Sequence, residues 1–143
     1  MRIKTSSWFT KLPSDHVRIG ISRGTPRGTT GGYRRYMALA PGSWFNAVTP
    51  AEYLVRYGEI LARLDPAKVA ADLHELAGPN KVATLLCFES PAKIASGTVW
   101  CHRNIVAQWL HDRLGLQVEE VGYSGFDPWS WLRAKGVEPP SFR

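Results

Sequence analysis

A chain of 143 residues is long enough to bury a core, and its apolar, charged and aromatic fractions (44%, 21% and 11%) are those of a globular protein. Two cysteines exclude a disulfide scaffold, residues 1–11 lack a signal-peptide core, and the longest apolar run, 82–88 broken by Thr84, is too short to span a membrane. The formal net charge of +6 is concentrated: residues 1–36 carry eight basic side chains, six of them arginine, against the single acid Asp15. Such a field draws anions, nucleic acid included, or serves only as a solvated basic surface. The expected setting is a reducing cytoplasm with free thiols and no membrane.

Residues 1–4 predict a short edge strand. Val17-Arg18-Ile19-Gly20-Ile21 alternates β-branched residues with others and predicts a strand. The breaker-rich loop Ser22-Arg23-Gly24-Thr25-Pro26-Arg27-Gly28 follows it, and residues 29–48 show no clean period. Thr49-Pro50-Ala51-Glu52 opens a first helix whose apolar face is Tyr53, Leu54, Tyr57, Leu61 and Leu64. Asp65-Pro66 opens a second, with Val69, Ala70, Leu73, Leu76 and Ala77 inward and Gly78-Pro79 as its stop. The continuous apolar run 81–87 predicts a strand covered on both faces. A loop with Pro91 and Gly97 leads to a third helix near 100–114, stopped by Gly115. Residues 117–121 predict another strand. Asp127-Pro128 starts a short last helix ending near Gly136. No repeat, low-complexity tract or linker divides the chain, so 1–143 is expected to form one α/β domain: a small, mainly parallel sheet flanked by helices, Rossmann-like, with 81–121 as a βαβ unit.

In parallel sheets ligands bind beyond the carboxyl ends of the strands. Here two loops leave such ends, 22–28 and 88–100. If their strands are neighbours, an Arg/Gly loop and a Cys/Glu/His/Arg loop share one rim. Cys101-His102-Arg103 stands at a predicted helix start, where free N–H groups and the helix dipole stabilise an anion or a thiolate. Glu89 emerges at the strand end on the same side as Cys87 and is placed to orient His102 or move a proton. The bland alternatives are a satisfied buried histidine and inert thiols, and for Cys87, inside the strand, a core role is the better expectation. A metal is not expected: the spacing of Cys87, Cys101 and His102 fits no zinc signature, and adjacent Cys101 and His102 are poorly placed to share one ion. The arginine that closes a phosphatase loop is missing, and neither a Walker loop nor a dinucleotide fingerprint is present. A Cys87/Cys101 redox pair stays open, although the two are not in a Cys-x-x-Cys arrangement. Tyr33, Tyr36, Trp44 and Phe45, just after the basic loop, suit either base stacking or core packing. Trp129 and Trp131 are expected to anchor the last helix.

The run Leu85-Leu86-Cys87-Phe88-Glu89, followed by Cys101-His102-Arg103 and an apolar helix, resembles the family known as domain of unknown function 488. Ile21-Ser22-Arg23-Gly24-Thr25-Pro26 and Leu39-Ala40-Pro41-Gly42 are similar to a subgroup of it, so the likeness covers about residues 15–123. Residues 90–100 form a longer connection than that pattern has. The resemblance implies an α/β fold and a common site, and brings no activity with it.

Three functional classes follow. In the first, a nucleotide- or nucleic-acid-interacting protein holds phosphate with Arg18, Arg23, Arg27 and Arg103 around Glu89 and His102. In the second, a thiol enzyme acts on a small anionic substrate through Cys101, with His102 as proton shuttle oriented by Glu89. In the third, the motif only joins strand to helix in a non-enzymatic binding module. None of the three requires a cofactor.

Overall fold

The computed structural model describes residues 2–143. Its centre is a five-stranded sheet in the order β3-β2-β4-β1-β5, with every neighbouring pair parallel. The strands are β1 (Ile3–Ser7), β2 (His16–Gly20), β3 (Arg34–Arg35), β4 (Val82–Cys87) and β5 (Glu119–Glu120). The helices are α1 (Pro50–Ala62), α2 (Pro66–Ala77), α3 (Pro91–Ala95), α4 (His102–Leu114) and α5 (Ser130–Ala134). This is the parallel α/β layering that the sequence predicts. No helix among the described residues is long and apolar enough to cross a membrane.

Local chemistry sets the helix ends. The Thr49 side chain accepts from Glu52 N and that of Asp65 from Ala67 N, each with proline in the first turn. Gly115 ends α4 in the left-handed region, at φ 71°. All six residues of β4 are buried. One face of the sheet, with Ile3, Ile19, Ile21, Ala83, Leu85 and Cys87, joins Tyr57, Leu61, Val69, Leu73, Ile105, Val106 and Trp109 in a single core.

The opposite face is closed by the chain after β1. Arg18 points from mid-β2 to the carbonyl oxygens of Trp8 and Thr10, and the Trp8 ring crosses the backbone at Gly20. The Trp8 indole donates to Ser22 Oγ at 2.9 Å, and its ring meets Tyr33 edge-on. A Cβ on Gly20 would lie 2.3 Å from Trp8 Cζ2. Gly20→Ala is therefore expected to displace Trp8 and cost about 1–3 kcal/mol, read from the urea midpoint. An unchanged midpoint would mean that Trp8 does not pack there.

Four details differ from expectation. β1 is not an edge strand: it runs from Ile3 to Ser7 between β4 and β5. Its Ile-Lys-Thr-Ser-Ser sequence lacks an apolar signal, yet it is tolerated inside because Thr5 Oγ1 donates to Glu120 Oε1 at 2.6 Å. The 81–121 unit therefore spans two non-adjacent strands, with β1 between β4 and β5. Residues 29–48 form β3 and two short 3₁₀ turns, Met37–Leu39 and Ser43–Asn46. The connection 88–100 contains α3, opened by Pro91, and α4 begins at His102 rather than Trp100.

Candidate functional site

β2 and β4 are direct parallel neighbours, so the loops after them leave the sheet side by side. With the N-terminus of α4 and the segment 41–53 they enclose a cavity of about 400 Å³. Ser22, Arg23 and Gly24 form one wall. Cys87, Phe88 and Glu89 form the second, Trp100, Cys101 and His102 the third, and Pro41, Phe45, Val48 and Tyr53 the cover. Arg23 is exposed at the mouth; it donates to the Pro41 carbonyl at 3.2 Å, and its guanidinium lies 6.0 Å from the Phe45 ring centre.

Within the cavity the two thiols and the imidazole converge: one donor atom each of Cys87, Cys101 and His102 lies within 4.8 Å of the others. The expectation that adjacent Cys101 and His102 are poorly placed to share one ion is corrected in its geometry. Cys101 is the N-cap, in extended conformation, and His102 is the first helical residue, so their side chains turn to a common centre. That donor set is also one a soft cation would accept. His102 Nε2 lies 2.9 Å from the Ile21 carbonyl, which makes Nε2 the donor in the neutral ring and leaves Nδ1 to accept. Cys87 Sγ is 3.6 Å from both Nδ1 and Nε2 of the ring. The ring also meets Tyr57 edge-on, and the Tyr57 hydroxyl donates to the Leu39 carbonyl at 2.6 Å. His102 is thus oriented by Ile21 and Tyr57, not by Glu89 as the sequence predicts.

Arg103 does not belong to the rim. It is fully buried and forms a two-pronged ion pair with Glu120: Nε–Oε1 3.1 Å and Nη2–Oε2 2.7 Å, both side chains without solvent exposure. Position 103 faces the sheet across β1, a direction that helix-start chemistry alone does not reveal. Its Nη1 is buried with no hydrogen-bond partner among the described residues. Burial opposes its charge, while the Cys101 thiolate and then Glu120 favour it. Arg18 is likewise withdrawn, held by two backbone carbonyls. Arg27 is exposed but does not line the cavity. Of the four arginines proposed for phosphate, only Arg23 faces the cavity.

The charges follow from these placements. Burial raises the Cys101 thiol, but the Cys87 thiol, Arg103 and His102 favour its thiolate more strongly, and the balance lies well below the usual thiol value. Cys87 is pushed well above that value by burial and by the neighbouring Cys101. Glu89 is pushed up to about 8 by burial and by the charge on Cys101. A carboxyl in that range stays protonated near neutrality and can donate a proton.

The folded state holds the Glu89 proton that the unfolded chain releases near 4.5. This group therefore removes stability as pH rises from about 4.5 to about 8, by at most about 1.4 kcal/mol per pH unit. Glu89→Gln is expected to gain on the wild type as pH rises from 5 to 8 in urea unfolding. Parallel pH profiles would contradict the raised value.

Sequence reasoning favoured a core role for Cys87, leaving a Cys87/Cys101 pair open, and did not place Tyr53 or Trp100 in a cavity wall. The strand's alternation carried the Cys87 signal, since it places Cys87 and Glu89 on one side. Tyr53 and Trp100 meet edge-on at 4.7 Å, a contact between distant segments that leaves no local mark. Comparison with protein-family models, curated proteins and solved structures finds no match for this chain.

Proposed function

We propose that the protein is a thiol-dependent enzyme acting on a small substrate with an apolar body and an anionic group, and that Cys101 is its nucleophile. The observation that supports this reading best is the convergence of Cys101, Cys87, His102 and Glu89 in one cavity with Arg23 at its mouth. Cys101 attacks; the α4 N-terminus and the buried Arg103 stabilise its thiolate. Glu89 supplies a proton to the group that leaves. Tyr53, Trp100 and Phe45 receive the apolar body, and Arg23 its anionic end. The resemblance to the domain of unknown function 488 family agrees with the location and leaves the reaction open.

Iodoacetate and iodoacetamide, alike in size and different in charge, test this. Relative to a free thiol, Cys101 is expected to favour iodoacetate several-fold, and Arg23→Ala to abolish that preference. A ratio equal to that of a free thiol, unchanged by Arg23→Ala, would overturn the proposal.

A second reading rests on the exposure of Arg23, Arg27, Arg34 and Arg35 along one segment with Tyr33 and Phe45 nearby: a single-stranded nucleic acid tracking the rim. It requires retention on single-stranded DNA that falls steeply with salt and is weakened by the same Arg23→Ala variant. Retention indifferent to both removes this reading.

A further inference from the structure

We propose that Cys87 is the resolving thiol of a dithiol site, and that the substrate class is a small organic hydroperoxide, reduced to the alcohol at Cys101. This rests on the reading of Cys101 as nucleophile and extends it to a partner thiol, a substrate class and a reaction.

The geometry is that of a pair. Both thiols are buried, both line the same cavity, and their sulfurs lie within 4.8 Å of one another beside His102. Cys87 is fixed in β4 and Cys101 at the start of α4, so the pair bridges the two elements that form the cavity floor. Cys87 Sγ lies 3.6 Å from both ring nitrogens of His102, so a base stands within reach of its proton when it attacks.

The neighbouring acid decides between substrate classes. A disulfide substrate expels a thiolate, which leaves without a proton. A hydroperoxide expels an alkoxide, a much poorer leaving group that needs one. Glu89 provides a half-buried carboxyl in the cavity that both thiols line, and the aromatic cover suits an organic rather than a fully hydrated peroxide.

The steps balance. Cys101 thiolate attacks the terminal oxygen of the hydroperoxide; the O–O bond breaks, an S–O bond forms, and the departing alkoxide takes the Glu89 proton. Cys101 is then a sulfenic acid and the substrate an alcohol. The Cys87 thiol passes its proton to His102 Nδ1 and attacks the Cys101 sulfur. The S–O bond breaks, a Cys87–Cys101 disulfide forms, and the departing hydroxide takes the proton from His102 and leaves as water. Glu89 regains its proton from solvent through the mouth. Two equivalents of a low-molecular-weight thiol reduce the disulfide and are themselves oxidised to a disulfide.

The test treats the reduced full-length chain, in chelator and without air, with one equivalent of cumene hydroperoxide. In the wild type both thiols should disappear together, the intact mass should fall by two hydrogens, and digestion should yield one peptide linking Cys87 to Cys101. In Cys87→Ser, or in Cys87→Ala should the serine fail to fold, Cys101 should stop at a sulfenic acid that dimedone traps. Wild-type dimedone labelling should be at least ~10-fold lower. Equal labelling of wild type and variant, with no linked peptide, would overturn the resolving role. Unconsumed hydroperoxide in a protein whose Cys101 is still alkylated by iodoacetamide would overturn the substrate class and leave the nucleophile standing. Neither consumption nor alkylation would remove both.

Discussion

Arg103→Leu is expected to destabilise the fold by about 3–5 kcal/mol, because it strands the Glu120 carboxylate in a site with no solvent access. Glu120 would retain only Thr5 Oγ1, at 2.6 Å. The pair ties α4 to β5 beneath β1, so its loss loosens both the sheet edge and the helix that carries Cys101. The double variant Arg103→Leu, Glu120→Leu is expected to recover a large part of that loss, since paired burial of two apolar groups leaves no uncompensated charge. Urea unfolding of the wild type, both single variants and the double variant measures this. Additive losses would show that the two residues do not act as a pair. The positive charge of the buried Arg103 also favours a thiolate at Cys101.

Cys101→Ser is expected to lower iodoacetamide incorporation at pH 6 by about 100-fold, because it removes the one thiol held in its reactive form. Cys87 should contribute little of the remaining label. Both thiols are buried, but burial together with the neighbouring Cys101 keeps Cys87 protonated. Cys87→Ser keeps a hydroxyl donor beside the Cys101 sulfur and should leave most of the incorporation in place. The contrast depends on position in the fold: the N-cap of a 13-residue helix for one thiol, the end of a fully buried strand for the other. Mass spectrometry of the labelled peptides assigns the site. Label on Cys87 in place of Cys101 would reverse the roles.

The sequence carried the helices through their caps and the central strand through its apolar run, because those signals are local. It also placed the shared rim, since a parallel sheet puts the ends of neighbouring strands together. Side-chain direction was less accessible. Arg103 follows His102 by one residue, yet one faces the sheet and the other the cavity, and only the packing of α4 over β1 separates them. Arg18 reads as a phosphate ligand from charge alone. It is instead spent on Trp8 and Thr10, whose carbonyls reach it because the chain doubles back over Gly20. β1 was misplaced to the edge because burial of Thr5 and Ser6 depends on partners more than a hundred residues away or on the neighbouring strand. Cys87 was read as core, and it is core; that a core thiol also faces a cavity is visible only once Cys101 and His102 are set beside it.

The central claim is that Cys101 ionises well below the pH of an ordinary thiol. The rate of iodoacetamide alkylation at Cys101 in the unsubstituted chain, resolved from Cys87 by peptide mass spectrometry from pH 4 to 10, tests it most directly. The predicted result is a midpoint well below the free-thiol value of roughly 8.5, moving upward in Arg103→Leu if that variant remains folded. A midpoint at or above the free-thiol value would contradict the claim.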